Sequence, residues 1–485
     1  MLVWKVQTLN INVASLRYRC LFPLRYLRDR GIPSQIFGGM DTVKLTAQTR
    51  AIVFVKSFHH VDVETCERAY QQGIPIILDI CDNIFIDGYG ADSDHIPSEN
   101  FRLMAQRAAA IVTTGSAMSA EVEAMLSSCL PKTVPDSLFG RRPIVVTIPD
   151  GSESLQDIQA SLRYTQQKKR AKRIKLTFRP RKVARSLYKA ARKLYKEGRR
   201  KAKVVFYGAK GRIGKVLRRY GLLAPLPAST CDCSGADSNG ADSNGADSSR
   251  AIVLVKKVSE KNRSEPAPVW PKPWPADPEL KTVLWFGNHG AKYGNFGMLN
   301  VLDVAEAIAR VGQDVPLRLM VISNYRDKYN AYIAPLPFKT AYLPWHPRKI
   351  YDYIRHSDVV IVPNSQSRYS VCKSANRAVL SLSQGTPVVA NRTPALDMLE
   401  GCVYFDDWES GLRKYLLNPE VAAAHVQQAQ QIIDSRLSGE AIAQKWMTLL
   451  DQVAPLAPDI PPADYSRQTS SRKPTSETHN PKIMI

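Results

Sequence analysis

Short apolar runs alternate with amphipathic stretches in two separate parts of the chain. The runs are almost continuously hydrophobic, as expected for strands of a parallel sheet that helices cover on both faces. In the first part they lie at 2–6, 52–55, 74–80, 110–113 and 144–148, and in the second part at 282–286, 317–323, 359–362, 387–390 and 403–405. This alternation predicts two α/β domains, each with a doubly wound parallel sheet.

The stretches between these runs carry the spacing and end signals of helices. Ser116 is a good N-cap for a helix over 117–126. In the second part, the spacing predicts helices over 298–311, 348–355, 374–384 and 408–416. Gly385 follows one of them, at a position where a helix C-terminus favours a residue that accepts positive φ.

The pattern divides the 485 residues into four segments. We predict an N-terminal α/β domain at 1–153, an insertion at 154–278, a C-terminal α/β domain at 279–453 and a disordered tail at 454–485. Within the insertion, residues 235–249 read GADSN-GADSN-GADSS, a composition that buries no apolar area and is typical of a flexible linker.

The net charge of +23 belongs to one segment of the insertion. Residues 160–222 hold 24 of the 67 Lys and Arg residues and a single acid, so the remainder of the chain is neutral. Residues 181–198 place apolar side chains at helical spacing opposite a basic face, which predicts an amphipathic helix on an anionic membrane surface. Binding to another polyanion and a solvated helical insertion are the alternatives. Because no nucleic-acid motif accompanies the basic residues, a nucleic-acid partner is not expected.

The cysteines and the first residues bear on the compartment. Eight cysteines are scattered through the chain, as is typical of a reducing environment. The start, MLVWKVQTLN, lacks the charged and apolar regions of a secretory signal. The sequence therefore predicts a cytoplasmic protein, in which the basic segment would add peripheral binding to the inner face of the plasma membrane.

A glycine-rich turn follows the first predicted strand of the second part. The strand runs directly into Gly287, Asn288, His289 and Gly290. Glycines at a strand end let the backbone approach a ligand closely, and the N-terminus of the next helix can bind a phosphate. The spacing matches neither a dinucleotide fingerprint nor a P-loop, so a turn-forming glycine cluster is an equal alternative.

Residues 364–390 form a second cluster, with three cations and no acid. Lys373 and Arg377 are four residues apart and share one face of a helix that starts near Ser374, with Asn376 beside them. Two cations, an amide and a helix N-terminus suit a diphosphate. A solvated basic face is the alternative, although the strand before the cluster puts it at the carboxyl edge of a sheet, where ligands bind.

A family resemblance rests on these motifs. The stretch K-S-A-N-R-x7-G-T-P-V-V-A resembles the donor-binding segment of GT-B glycosyltransferases, particularly the large retaining family that uses nucleotide sugars. The preceding WFGNHG is similar to the loop after the first strand of their C-terminal domain, and IVTTGSAMSAEV and VVTIPDGSE stand in the order expected before it. The resemblance covers 1–153 and 279–453. It implies two Rossmann-like domains that face a cleft, with the basic, low-complexity insertion between them.

Carried over by position, the resemblance implies a nucleotide-sugar donor on the C-terminal domain. Lys373 and Arg377 would hold the donor diphosphate, and the turn at 385–387 would shape the nucleotide pocket. The other donor-binding residues that it implies are Gly287, Asn288, His289, Asn376 and Thr386.

One departure from the family pattern concerns the ribose. Many such enzymes carry E-x7-E, with the second glutamate on the nucleotide ribose, where this chain has Cys372 and Leu380. The departure leaves the donor open and keeps an inactive homologue as an alternative.

Polar residues at strand ends of the first part are the candidates for the acceptor side. Asp79 and Asp82 follow the strand at 74–80, and a carboxylate that faces a cleft can act as a base or hold a sugar hydroxyl. For Asp79, a helix cap or turn is the alternative. The candidate acceptor-binding residues are Ser15, Arg17, Arg19, Lys56 and Asn83.

Together these features predict a glycosyltransferase that moves a sugar from a nucleotide-diphosphate sugar to a glycan or lipid-linked acceptor, in surface-polysaccharide synthesis. We predict no cofactor and no metal, because Lys373 and Arg377 can neutralise the leaving group. The alternatives are another GT-B enzyme, such as a nucleotide-sugar epimerase, and an inactive relative that binds membrane or polyanions.

Overall fold

A computed structural model describes residues 1–87, 89, 96–129, 142–177, 279–288, 290 and 296–455, with side chains as far as 166 in the helix at 155–177. The chain divides into one compact unit, Met1–Gln166 with Lys272–Ile485, and a second, Gln167–Pro271. The predictions for the repeat at 235–249, the basic helix at 181–198, the tail beyond 455 and His289 lie outside the described residues.

The N-terminal half contains a parallel sheet with the strand order β2-β1-β3-β4-β5-β6. Its strands are β1 (Leu2–Val6), β2 (Ser34–Gly38), β3 (Ala51–Val55), β4 (Ile76–Ile80), β5 (Ala110–Thr113) and β6 (Ile144–Thr147). Its helices are the short α1 (Ala14–Leu16), which continues through a π-helical turn (Arg17–Leu21) into α2 (Phe22–Asp29), then α3 (His60–Gln71), α4 (Pro97–Ala105), α5 (Ser116–Cys129) and α6 (Leu155–Thr177).

The C-terminal half contains a second parallel sheet, with the order β12-β11-β10-β7-β8-β9. Its strands are β7 (Lys281–Phe286), β8 (Leu317–Ser323), β9 (Lys339–Pro344), β10 (Val359–Val362), β11 (Val388–Ala390) and β12 (Tyr404–Phe405). Its helices are a 3-10 segment (Gly297–Val304), α7 (Ala305–Asp314), α8 (Arg326–Tyr332), α9 (Lys349–Arg355), α10 (Asn376–Ser383), a 3-10 segment (Pro394–Leu399), α11 (Trp408–Leu417), α12 (Pro419–Leu437) and α13 (Gly439–Val453).

Both sheets are buried on both faces, which explains their continuous apolar runs. In β1, Leu2, Trp4 and Val6 pack into one apolar layer, and Val3 packs into the layer on the other face. The second sheet likewise separates two buried layers. Since successive strand residues point to opposite faces, a strand between two layers of helices has few positions for a polar side chain. Those that occur are paired, Lys5 of β1 with Asp62 and Asp79 of β4 with Arg19.

The structure differs from the sequence-based prediction in two strands and one helix. β2 and β9 were not predicted, and each lies at an edge of its sheet, where the strand is only partly buried and its sequence is mixed. The helix predicted over 298–311 begins as the 3-10 segment Gly297–Val304 and becomes α-helical only from Ala305.

The last helix returns to the N-terminal half. Trp446 of α13 packs edge-on against Trp4 of β1, with ring centroids 5.1 Å apart, and Gly439 lies so close to Tyr26 that a Cβ there would stand 2.0 Å from the ring. Just before α13, Leu437 accepts a hydrogen bond from the amide of Ser152 at 2.8 Å. The segment that follows the N-terminal sheet is therefore hydrogen-bonded to the segment that leads into α13, and α13 completes the N-terminal core.

Replacing Ser438 with alanine is expected to lower the free energy of unfolding by about 1 kcal/mol, the usual value of an N-cap. The Ser438 hydroxyl accepts from the amide of Ala441 at 3.3 Å at the start of α13. Ser435→Ala is the matched control, because that hydroxyl donates to the carbonyl of Ile432 and caps nothing. Urea denaturation of both variants checks the difference, and equal effects would contradict the cap.

Candidate active site

A crevice lies where the strand order of the C-terminal sheet reverses. The chain runs outward through β8 and β9, returns to the other side of β7 at β10, and continues outward through β11 and β12. The carboxyl ends of β7 and β10 therefore border the switch point, where doubly wound sheets bind their ligands. Gly287 directly follows β7, and Asn364 lies two residues beyond β10.

Arg377, in the first turn of α10, lies at this crevice. Its Nη2 donates to Oδ1 of Asn364 at 3.0 Å, and a Cβ on Gly287 would stand 3.7 Å from its Cδ. Within the described ranges no carboxylate forms an ion pair with it, and burial alone lowers its pKa to about 10. The guanidinium is thus charged at neutral pH without an anion of its own, which suits an anionic ligand.

Lys373 lies four residues before Arg377, ahead of the first residue of α10, and is paired across the two halves of the protein. Its ammonium donates to Oδ1 of Asp82, which follows β4 of the N-terminal sheet, and to the hydroxyl of Tyr369 at 2.8 Å. The same ammonium lies 3.9 Å from the Tyr369 ring centroid. The other carboxylate oxygen of Asp82 accepts from Lys56, at the end of β3.

The two lysines keep Asp82 ionised. Burial by itself would raise the pKa of the carboxyl, but Lys373 and Lys56 outweigh it and hold that pKa well below its usual range. In turn, Asp82 outweighs burial and raises the pKa of both ammonium groups. A carboxylate held in this way is a poor proton acceptor near neutral pH, so the base role predicted for Asp82 is not favoured, and a counter-ion role is.

A buried carboxylate, that of Asp62, fixes the loop that carries Lys56. Lys56 has a left-handed backbone, with φ of 46°. Buried Asp62 accepts from the hydroxyl of Ser57 and from the amide of His59, both at 2.9 Å, and lies 3.3 Å from the ammonium of buried Lys5. These contacts explain how a strained position persists and how the Lys56 side chain is aimed.

The structure corrects the catalytic role predicted for Asp79. Its side chain is fully buried, and its two oxygens accept from Nε and Nη2 of Arg19 at 3.0 and 2.7 Å. Nη1 of the same arginine donates to Asp150 at 3.2 Å. Burial raises the pKa of Asp79 and Arg19 opposes that rise. Asp79 therefore holds Arg19 inside the protein and touches no surface that a substrate could reach.

Arg17 and Arg19 were predicted to bind the acceptor, but they do not reach the acceptor side. Arg17 is 6% exposed and Arg19 is 2% exposed. Nε of Arg17 donates to both oxygens of Glu153 at 3.1 Å, and its guanidinium lies 5.4 Å from the ring of Trp345. The two arginines anchor the segment that leaves the N-terminal sheet. Ser15 stays half-buried on α1, with no contact that assigns it a role.

Asn83 links the two halves instead of facing an acceptor. It is fully buried, and its amide donates to the carbonyl of Arg368 at 3.2 Å and lies 3.8 Å from the Cys372 sulfur. Arg368 also forms a bidentate pair with Glu121 of α5, at 2.7 Å for both bonds. The segment between β10 and α10 is thus held by the N-terminal half at several points.

Thr386 lies at the wrong edge of the sheet for its predicted donor role. α10 runs from the carboxyl edge back to the amino edge, so the turn before β11 is about 12 Å away along the helix. Thr386 is 2% exposed, and its hydroxyl donates to the carbonyl of Ile354 at 2.8 Å. This turn closes the helix–strand unit and does not shape the nucleotide pocket.

Asn288 and Asn376, two further predicted donor residues, lie near the switch point. Asn376 begins α10 beside Arg377 and is half-buried. Asn288 accepts from the amide of Gly290 at 3.2 Å through its side chain, which holds the turn after β7. Gly290 has φ of 84°, and a Cβ there would stand 2.2 Å from the carbonyl oxygen of Phe296. Only glycine fits this turn.

Sequence reasoning missed two residues of the crevice, Asn364 and Tyr369. Asn364 stands two residues after the Val-rich strand β10, so its place at a strand end was a usable signal. Tyr369 precedes Lys373 by four residues, but the segment between them is not a regular helix, so spacing alone could not pair them. Its ring also lies 5.3 Å from Phe296 and 6.3 Å from Tyr89, which gives the crevice an aromatic wall.

The protein is similar to known proteins in structure but not in sequence. No protein-family profile matches the chain, and no curated protein is significantly similar to it. The sucrose-phosphate synthase from Thermosynechococcus elongatus superposes with a TM-score of 0.50 at 11% identity, over 93% of this chain and 98% of that one.

Two further solved structures are similar at lower scores. For Anabaena HepE in complex with UDP, the TM-score is 0.46 at 11% identity, over 93% of this chain and 99% of that one. For a UDP-forming α,α-trehalose-phosphate synthase from Burkholderia xenovorans, the TM-score is 0.43 at 9% identity, over 84% of this chain and 75% of that one. The two parallel six-stranded sheets and the likeness to the synthase from Thermosynechococcus elongatus show that the chain has the GT-B fold, as the resemblance implied.

Proposed function

From the GT-B fold and the cationic crevice at its switch point, we propose that this protein is a glycosyltransferase. It moves a sugar from a nucleotide-diphosphate sugar to a glycan or lipid-linked acceptor, in surface-polysaccharide synthesis. The single observation that carries the proposal is Arg377, a half-buried cation at the switch point that has no carboxylate partner in the described part of the chain.

The chemistry needs positive charge where the donor breaks. When the bond from the sugar to the diphosphate is cleaved, negative charge builds up on the leaving nucleoside diphosphate. Arg377 and Lys373, four residues apart beside the N-terminus of α10, supply fixed positive charge there. These groups need no divalent cation to act, so the proposed reaction is metal-independent.

The proposed acceptor side is the carboxyl edge of the N-terminal sheet. Lys56 and Asp82 stand at neighbouring strand ends there, and Asp82 reaches Lys373 from this side. The acceptor would approach between these groups and the aromatic wall of Tyr369 and Tyr89. Aromatic faces pack well against apolar faces of ligands, sugar rings included.

The proposal extends to location. The basic segment 160–222 would hold the enzyme on the inner face of the plasma membrane, close to a lipid-linked acceptor. In the described residues, none of the helices has the length and apolarity that crossing a bilayer requires.

One observation favours a second candidate, a catalytically inactive relative that binds membrane or polyanions. Cys372 and Leu380 occupy the places of the E-x7-E glutamates and are 3% and 7% exposed. Neither can bind a ribose hydroxyl in the way that a carboxylate does. An inactive relative would bind through its basic segment and would show no donor turnover.

The test is a calorimetric binding screen of the whole chain against UDP-, GDP-, dTDP-, CMP- and ADP-sugars. We expect micromolar binding of one donor, and at least a tenfold loss of affinity in Lys373→Ala, because a charge-assisted contact is worth about 1.5–3 kcal/mol. Lys349→Ala is the matched control, since that lysine is half-buried on α9 and pairs with Asp352. Folded protein that binds no donor would overturn the proposal in favour of the inactive relative.

A further inference from the structure

We propose that Asp82 competes with the second phosphoryl group of the donor for Lys373. In this proposal, which rests on the proposed glycosyltransferase function, Asp82 neutralises Lys373 and a ligand gains that lysine only by displacing the carboxylate. The second phosphoryl group of a nucleoside diphosphate performs the displacement. A nucleoside monophosphate has no such group and is bound through Arg377 alone.

The two cations of the crevice differ in what a ligand must displace. Arg377 bonds only to the neutral amide of Asn364 within the described ranges, so an anion can take it without breaking an ion pair. Lys373 is already bonded to a carboxylate, and the side chain of that carboxylate is only 12% exposed. Exchanging one buried anion for another costs free energy that a first phosphoryl group on Arg377 does not face.

Lys56 makes the exchange reversible. It bonds to the second oxygen of Asp82, so the carboxylate still has a cation when Lys373 turns to a phosphate. Tyr369 holds the lysine at both its ring and its hydroxyl, which keeps the ammonium within reach of either anion. The Asp82 carboxylate and a donor phosphate thus compete for the one Lys373 ammonium.

Asp82 therefore acts as a specificity-determining residue rather than as a proton acceptor. It weakens the binding of every ligand that needs Lys373 and leaves unchanged the binding of a ligand that does not. The ratio of diphosphate to monophosphate affinity is then smaller in this protein than its two cations would give without Asp82.

The experiment measures affinities of the full chain for UDP, GDP, ADP, CDP and dTDP and for the matching monophosphates, by calorimetry. For the nucleotide that wild type binds best, Asp82→Asn is expected to tighten diphosphate binding about tenfold, equivalent to ~1.4 kcal/mol. Monophosphate binding should change less than about twofold. The asparagine keeps the size of the side chain and removes its charge.

Two further variants separate competition from other causes. Glu121→Gln removes another ion pair between the halves, the one with exposed Arg368. A general loosening of the halves would therefore tighten diphosphate binding in this variant too. We expect no change in this control. Lys56→Met leaves Asp82 to Lys373 alone and should weaken diphosphate binding, whereas Asp82→Asn with Lys56→Met should bind like Asp82→Asn. A double variant that binds as weakly as Lys56→Met would make Lys56 a direct phosphate ligand and overturn the competition.

The outcomes keep this proposal separate from the proposed function. If wild type binds no nucleotide, the function fails. If wild type binds a diphosphate, and folded Asp82→Asn binds it equally or more weakly, the function stands and the inference is overturned. If Asp82→Asn does not fold, unchanged or tighter diphosphate binding by Lys56→Met overturns the inference on its own.

Discussion

Replacing Arg377 with alanine is expected to lower kcat/KM for the donor by about 10²- to 10³-fold, the usual cost of removing one preorganised group that stabilises the charge of a transition state. Arg377 is half-buried at the switch point, is oriented by Asn364 and has no carboxylate partner within the described ranges. Its charge is therefore fully available to the leaving diphosphate. Initial rates of nucleoside diphosphate release, with the donor that binds best, give the measurement.

Two comparisons make this prediction specific. Arg392 lies at the same edge of the sheet, just beyond β11, and pairs with Asp397 and Glu400 on the surface. Arg392→Ala should change kcat/KM by less than about twofold, since an exposed pair contributes little. Arg377→Lys keeps a charge but loses the planar fork, so it should recover only part of the rate. A fully active Arg377→Ala would remove the main support for the proposed function.

Replacing Asp79 with alanine is expected to lower the free energy of unfolding by about 3–5 kcal/mol, because one partner of a buried ion pair is then left without its counter-charge. Arg19 is 2% exposed and would retain only Asp150 and a backbone carbonyl. Urea denaturation followed by tryptophan fluorescence gives the measurement, since Trp4 lies in the apolar layer of the same sheet.

This prediction concerns the Asp79–Arg19 ion pair rather than the two side chains taken separately. Removing both charges in Asp79→Ala with Arg19→Met should cost clearly less than the sum of the two single changes, because no buried charge is left unpaired. Strictly additive losses would mean that the two residues contribute separately. A small loss in Asp79→Ala would mean that water or Asp150 replaces the carboxylate.

Local sequence was enough to predict several inner strands of each sheet. β1, β5, β8 and β10 have the predicted bounds, because a strand covered on both faces is mostly apolar. Lys373 and Arg377 were predicted to share one face of a helix that starts near Ser374, but α10 begins at Asn376, so Lys373 lies outside that helix.

The side-chain pairs could not be predicted in the same way. Arg19 and Asp79 are 60 residues apart, and Lys373 and Asp82 are 291 residues apart. Periodicity tells which face a residue occupies but not which charge lies opposite in another element. For that reason Asp79 and Arg19 were both predicted as site residues, although the fold uses them to neutralise each other.

The return of α13 to the N-terminal half also determines which half depends on this helix. Trp446 packs against Trp4, and the apolar layer that contains Trp4 also includes Ile442 and Leu449 of α13. The helix therefore belongs to the N-terminal core although its sequence follows the C-terminal half. Deleting it would therefore bare the apolar layer around Trp4 and impair the half of the protein in which it is not encoded.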